Sequence, residues 1–382
     1  MRTEVTVLRS WSVALAVVVV LAGCSSSKDP SLKPAELTEI KASLGSRVAW
    51  RQSVGAGRGA FLQPAVLENA VYAASNGGNL VRVEPESGNV VWRVDTNSPI
   101  SAGVGSDGDL VAVGTRRGEV LVYDAEGQLR WKAQVASDIS APPLVGRGLV
   151  IVRATDQRVT AFDAKDGSRR WTYTRNQPPL TLRDVSLMAF DGDTILVGFP
   201  GGRLVALAPN NGAARWEALI AEPRGATEVE RLADVVGLLG QAPRLACAAA
   251  FQGRVTCVDP SNGNLRWSRE WPAATGVAIA EGQLYSVDHR SQVGAFARDT
   301  GASVWRNDKL ANRGLSNPGA LRGAVAVGDY KGYLHLLAPG DGALIGRQQL
   351  DSSAIVAAPR VWADSFIVLT QDGTLARIAI ER

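Results

Sequence analysis

The chain predicts an all-β fold, a ring of eight small four-stranded antiparallel sheets, and three observations lead there. A pattern of the form G-x-L-x-A-x-D-x-x-x-G-x-x-x-W keeps returning, as in VTCVDPSNGNLRW at 255–267. Its tryptophans at 92, 131, 171, 216, 267 and 305 are 39, 40, 45, 51 and 38 residues apart, a period that marks one structural unit repeated rather than separate domains. Within each copy, stretches such as V-T-A-F and L-V-A-L alternate with period two, and helical signals of useful length are missing, so the units are built of strands. Short sheets repeated at this spacing suit a β-propeller, whose radial closure leaves only short, protected sheet edges.

From the N-terminus, Arg2 and Arg9 precede the charge-free apolar run 11–23, which meets Cys24. A membrane span needs about 20 apolar residues, and here SSSKDP follows at once, so the segment reads as a secretory signal. The stretch LAGC at 21–24 resembles the bacterial lipobox. That resemblance implies removal of residues 1–23, lipidation of Cys24 and, because Ser25 is not Asp, sorting to the outer membrane, facing the periplasm. Residues 24–44 are then expected to form a lipidated tether, with a helical turn or two in PAELTEIKAS, and 45–382 the propeller.

Copies of the pattern fall at 78–92, 118–131, 157–171, 202–216 and 253–267, with weaker ones at 291–305 and 332–346. The last has Gly346 where tryptophan belongs. Each unit reads as four strands, A innermost and D outermost, with the tryptophan on D. Glycines at 88, 127, 167, 212, 263, 301 and 342 fall in the C–D turn, beside Asp or Asn, where positive φ makes a tight reversal cheap. The tail supplies three strands (AIVAAPRV, SFIVLTQ and DGTLARIAI) and no fourth, while RVAWRQ at 47–52 carries Trp50 with no upstream partner, 42 residues before Trp92. The N-terminal strand is therefore expected to complete an eighth blade. Cys247 and Cys257 sit on neighbouring strands in a compartment that permits disulfides. A two-residue turn would set them on opposite faces and a three-residue turn directly across; the sequence does not choose.

Net charge is +4 from 41 basic and 37 acidic residues, which argues against a uniformly basic, nucleic-acid-binding surface. His289 and His335 are the only histidines, too few for a histidine metal cluster. No Ser-His-Asp set or glycine-rich phosphate loop stands in a credible context. The repeat resembles that of the quinoprotein (PQQ-type) propellers and not WD40, since Arg, Lys, Thr, Glu or Ser follows each tryptophan. The resemblance brings quinone-dependent alcohol dehydrogenases into view, which hold calcium and PQQ with Glu, Asn and Asp side chains and carry two adjacent cysteines. This chain has no adjacent cysteine pair, and its inner strands (SAGVG, APPLV, VAIAEG, AAPRV) offer Ala, Val, Pro and Gly to the axis. The expectation is no enzyme, no cofactor and no metal.

A lipoprotein signal, a short tether and eight such blades over essentially the whole chain resemble the BamB family, accessory lipoproteins of the machinery that inserts β-barrels into the bacterial outer membrane. Local stretches carry the resemblance further: LTLR at 180–183, RGATEVERLADV at 224–235, GDYKGYL at 328–334 and DSS at 351–353. It implies a non-enzymatic scaffold, monomeric within a hetero-complex, with unfolded outer-membrane proteins as a second class of partner and no nucleic acid. It also implies that Leu180, Leu182, Arg183 and Asp234 contact the periplasmic POTRA domains of the barrel insertase. A second acid expected two residues after Asp234 is Val236 here.

The spacing of the residues leads to the same place by itself. The two longest tryptophan spacings put extra residues into successive D–A connections, at 172–190 and 217–244, and long loops on a rigid frame are preferred sites of function. B–C turns share that face and supply Arg116, Arg117, Arg158, Arg203, Arg254, Arg290 and Lys331, a basic rim suited to steering an acidic partner. Leu180 and Leu182, flanked by Pro178 and Pro179, are candidate anchors. The competing readings are a periplasmic propeller that takes a peptide or small ligand in its central channel, or a degenerate quinoprotein.

Overall fold

The computed structural model describes residues 33–176, 178–182 and 186–381; the signal segment, Cys24 and Arg183 lie outside them. The chain divides into two compact units, Met1–Pro34 and Ala35–Arg382, and the second is the propeller. It is all-β, with eight radial sheets and no helix among the described residues. Blade 3 shows the plan: Leu144–Gly146, Leu149–Arg153, Val159–Asp163 and Arg169–Tyr173 lie side by side in chain order, each antiparallel to the next. Its second strand, LVIVR, is buried throughout, because blades pack on both of its faces and a strand so enclosed reads as a continuous apolar run. Blade 2 departs from the plan by one element. Phe61–Leu62 pairs in parallel inside Ile100–Ser106, with Phe61 opposite Ala102.

The eighth blade closes as the sequence predicts. Gly45–Ser53 pairs antiparallel with Thr374–Glu381, from Gly45 opposite Glu381 to Ser53 opposite Thr374, and the sheet continues inward through Ser365–Leu369 and Arg360–Trp362. Blades are joined by their tryptophans. The indole N–H of Trp50, Trp92, Trp131, Trp171, Trp216, Trp267 and Trp305 donates in turn to the carbonyl of Pro85, Ala125, Ala164, Pro209, Pro260, Arg298 and Pro339, each in the next blade's C–D turn. The ring of each lies on that turn's glycine. At Gly212, where φ is +69°, a Cβ would stand 2.5 Å from Trp171, so both backbone and contact demand glycine.

Blade 7 breaks this pattern for a physical reason. Its outer strand, Leu344–Gln349, carries Gly346, and the eighth blade has no C–D turn for an indole to reach, since its third and fourth strands come from opposite ends of the chain. Residues 35–44 pass there instead. Ser43 N and Leu44 N donate to Ile345 O at 3.1 and 3.2 Å, and Leu44 packs against the core between blades 7 and 8. Ala35 N donates to Ala311 O at 2.8 Å, Arg313 Nη1 donates to Ala35 O at 2.8 Å, and Arg347 Nη1 to Thr38 O at 3.1 Å. The helical turn expected in PAELTEIKAS is absent because its carbonyls are held by arginines of the propeller. This stretch is a strap on the compact body, which begins at Ala35.

A buried pair positions the two arginines. Asp329 Oδ2 accepts from His335 Nε2 at 2.9 Å and Arg313 Nε at 2.8 Å, while His335 Nδ1 accepts from Arg347 Nε at 3.2 Å. One ring nitrogen donates and the other accepts, so the imidazole is neutral. Burial holds His335 below its ordinary value, and the neighbouring Asp329 only partly offsets this. Arg313, Arg347 and the stacked Tyr333 complete its surroundings. A lowered imidazole contributes stability that is fully present above its unfolded value, about pH 6.5, and is lost as pH falls toward the folded value. Melting curves taken from about pH 7.5 down to about pH 5 should therefore show a loss that His335→Gln lacks.

Cys247 and Cys257 are joined by a disulfide and are direct cross-strand partners in blade 5. The connection between their strands, Leu245–Ala250 and Arg254–Val258, has three residues, the arrangement that sets the two cysteines face to face.

Candidate functional site

The 178–182 loop is held by charges that never reach the surface. Leu180 is 40% exposed and Leu182 half-buried. Asp234, expected as a surface contact, is 4% exposed and faces inward. Its Oδ2 accepts from Leu182 N at 2.7 Å and its Oδ1 from Gly201 N at 3.1 Å, so it ties the loop to the B–C turn of blade 4. Burial raises its carboxyl above the usual range, against the pull of those two N–H groups and of Arg153.

Arg153 was not foreseen. It is 1% exposed, and its Nη1 donates to Gly198 O at 2.6 Å and Ser186 O at 3.3 Å while Nε donates to Gln157 Oε1 at 3.1 Å. Its guanidinium stands 5.0 Å over the ring of Phe199. Burial pulls it down to about 10, which leaves it protonated at neutral pH. Arg153 thus holds Ser186, as Asp234 holds Leu182. The signal was an arginine closing the otherwise apolar strand LVIVR.

Elsewhere on this face the expected residues divide. The basic residues stand at or beside the B–C turns, but Arg158 pairs with Asp156 at 3.6 Å, Arg203 with Glu217 at 3.4 Å and Arg254 with Glu270 at 3.2 Å. Arg116 donates to Gly59 O at 2.9 Å, Lys331 lies 5.8 Å from the ring of Tyr330, and Arg117 and Arg290 are exposed. Val236 is fully buried in the inner strand of blade 5, so its position offers nothing to a partner. The 220–234 connection folds on itself: Glu230 Oε2 accepts from Ala226 N at 2.7 Å and Thr227 N at 3.1 Å, the reach-back of a capping box.

At the axis a cavity of about 520 Å³ is lined by Phe61, Gln63, Thr275, Asn317, Val356 and neighbours of similar kind, with no carboxylate among its lining residues. A quinone cofactor held by calcium does not fit this lining, which has no acidic ligand to offer the metal. The cysteines are likewise ten residues apart and enclosed in blade 5.

Fold and site together define a class: a quinoprotein-repeat propeller whose axial funnel is lined by uncharged side chains and whose singular surface is a loop held by buried charges. Comparison with known proteins supplies the particular family. The profile of the family described as outer membrane protein assembly factor BamB matches residues 31–100, 76–307 and 289–382. BamB of Bordetella pertussis is 41% identical over 375 residues, covering 97% of each chain, and BamB of Burkholderia pseudomallei 43% identical over 359 residues, covering 94% of each. The crystal structure of BamB from Moraxella catarrhalis aligns with a TM-score of 0.80 and 26% identity over 88% of this chain and 100% of that one. The chain belongs to the BamB family of outer membrane protein assembly factors. The quinohemoprotein alcohol dehydrogenase from Comamonas testosteroni shares the fold alone, with a TM-score of 0.69 and 14% identity over 87% of this chain and 76% of that one.

Proposed function

We propose that this chain is a non-enzymatic accessory lipoprotein of the outer-membrane β-barrel assembly complex, docking on the periplasmic POTRA domains of the barrel insertase. The observation that carries the reading is the held loop: an exposed Leu180 two residues before Leu182, whose amide is fixed by the buried Asp234. An apolar anchor on a pre-set backbone binds without the cost of ordering a mobile loop. Leu180, Leu182 and Arg183 meet the partner, and Asp234 acts from beneath by holding the loop. Arg116, Arg117, Arg290 and Lys331, which have no ion pair among the described residues, carry most of the steering charge; Arg158, Arg203 and Arg254 contribute less because carboxylates already neutralise them. Lipid on Cys24 anchors the protein to the outer membrane from the periplasmic side.

The test uses the soluble chain with Cys24 removed and the POTRA domains of the same organism's insertase. Leu180→Ala, Leu182→Ala and Arg183→Glu are each expected to weaken binding about tenfold or more, roughly 1.4 kcal/mol. Asp234→Ala should weaken it similarly although its carboxylate touches no partner. Wild-type protein that is folded and does not bind would overturn the reading and turn attention to the axial cavity.

A further inference from the structure

The strap over residues 35–44 lies along blade 7 outside any sheet. Its ends are fixed by backbone bonds, Ala35 N to Ala311 O at one and Ser43 N and Leu44 N to Ile345 O at the other. Its middle is fixed by a side chain, Arg347 Nη1 donating to Thr38 O at 3.1 Å. Leu37 packs on the core between blades 6 and 7, while Glu36, Thr38, Glu39 and Lys41 are exposed. A segment with so few buried contacts belongs to the part of a fold that opens first.

What sets Arg347 in place is His335. Arg347 Nε donates to His335 Nδ1 at 3.2 Å, and His335 Nε2 donates to Asp329 Oδ2 at 2.9 Å. Nδ1 is therefore the ring nitrogen that carries the lone pair, and a proton added to this imidazole goes there. An N–H then faces the N–H of Arg347, and an imidazolium stands against two guanidinium groups. Asp329 does not absorb both, because the same Oδ2 already accepts from Arg313 Nε at 2.8 Å. Of the two arginines, Arg313 is 4% exposed and enclosed, whereas Arg347 is half-buried on the outer strand and free to turn outward. The remaining surroundings do not compensate: Tyr333 stacks on the ring, Val327 lies opposite on the neighbouring strand, and the strap's Glu36 and Glu39 are exposed. Burial keeps His335 below its ordinary value, so the bond to Arg347 is intact above about pH 6.5 and is lost as pH falls further.

We propose that the strap is a latch released by acid: a proton on His335 frees Arg347 from Thr38, and residues 35–42 leave blade 7 while the ring stays closed at Gly45–Ser53. The chain between Cys24 and its first backbone bond to the body then lengthens from 35 − 24 = 11 residues to 43 − 24 = 19. At about 3.5 Å per residue its greatest reach grows from about 40 Å to about 65 Å. This gain in reach rests on the lipid anchor proposed above; the release of the strap does not.

The experiment uses the soluble chain with Cys24 removed, so that the latch is tested without the anchor. Nitroxide labels on Glu39→Cys and Arg322→Cys, both exposed positions, report the distance from strap to blade 7 between about pH 7.5 and about pH 5. Wild type is expected to give one narrow distance at the upper end and a broad, longer distribution in about half the molecules or more at the lower end. His335→Gln should stay narrow throughout, and Arg347→Met should be broad at both ends, with melting temperatures confirming that each variant is folded. Arg347→Met carries the test by itself if His335→Gln does not fold. A distance that ignores pH, the same broadening in folded His335→Gln, or a narrow distance in folded Arg347→Met would overturn the proposal. The anchor is tested separately, by the mass of the N-terminal fragment of the membrane-bound protein, so failure of one reading leaves the other standing.

Discussion

Deletion of residues 374–382 should leave a chain with no cooperative unfolding transition. The segment is not an edge: Thr374–Glu381 lies between Ser365–Leu369 and Gly45–Ser53, and its Leu375, Ile378 and Ile380 are buried. Burial of three such side chains is worth about 5–8 kcal/mol, which is the scale of a domain's whole net stability, about 5–15 kcal/mol. The loss spreads, because the first strand then has no partner and Trp50, bonded to Pro85 O at 2.8 Å, no longer seals blade 8 to blade 1. A cavity variant that keeps the strand, Ile378→Ala, should instead cost about 2–5 kcal/mol and retain one transition. Urea unfolding followed by tryptophan fluorescence and by circular dichroism separates the cases. Coincident sharp transitions in the deletion would show that seven closed blades suffice.

The second large effect is expected at Arg153. Replacement by methionine keeps the volume and removes the charge, leaving Gly198 O and Ser186 O without their donor and Asp234 without its buried counter-charge. Breaking such a buried arrangement from one side costs about 3–5 kcal/mol. Arg153→Lys should recover part of this, since it restores charge without the fork that reaches two carbonyls and Gln157. The consequence for function is local. Hydrogen exchange at the amides of Leu182 and Gly201, both held by Asp234, should accelerate in Arg153→Met beyond what global destabilisation explains. Exchange there that merely tracks global stability would mean that Arg153 stabilises the core without setting the loop.

The repeat was legible because each part of it answers a strict local demand. A glycine at positive φ under an indole, a tryptophan every forty or so residues and period-two strands leave few other architectures, and Trp50 without a partner strand already implied the seam at the eighth blade. The strap was not legible. Nothing local in PAELTEIKAS forbids a helix; what forbids it is Arg313 and Arg347, 278 and 309 residues from the carbonyls they hold. Gly346 was visible as an exception, yet its reason lies in a turn that the closed ring does not contain. At the site, the loop could be found from spacing alone. The orientation of Asp234 could not, because an acid at the end of a loop reads as solvated until its two N–H donors are placed.

The tryptophans all lean the same way around the ring, each from the outer strand of one blade onto the turn of the next. Each of blades 1 to 6 therefore has two unlike flanks, a knob and a socket, as a subunit does in a head-to-tail assembly, while blade 7 has only the socket and blade 8 only the knob. Contacts of that kind are satisfied in one of two ways: by closing on themselves or by finding the same surface on another molecule. A chain whose eighth blade comes undone presents a free socket on blade 1 and an unclaimed final strand at once. Misfolding of this protein should accordingly take the form of strand exchange between copies, growing with concentration into open chains of otherwise intact blades.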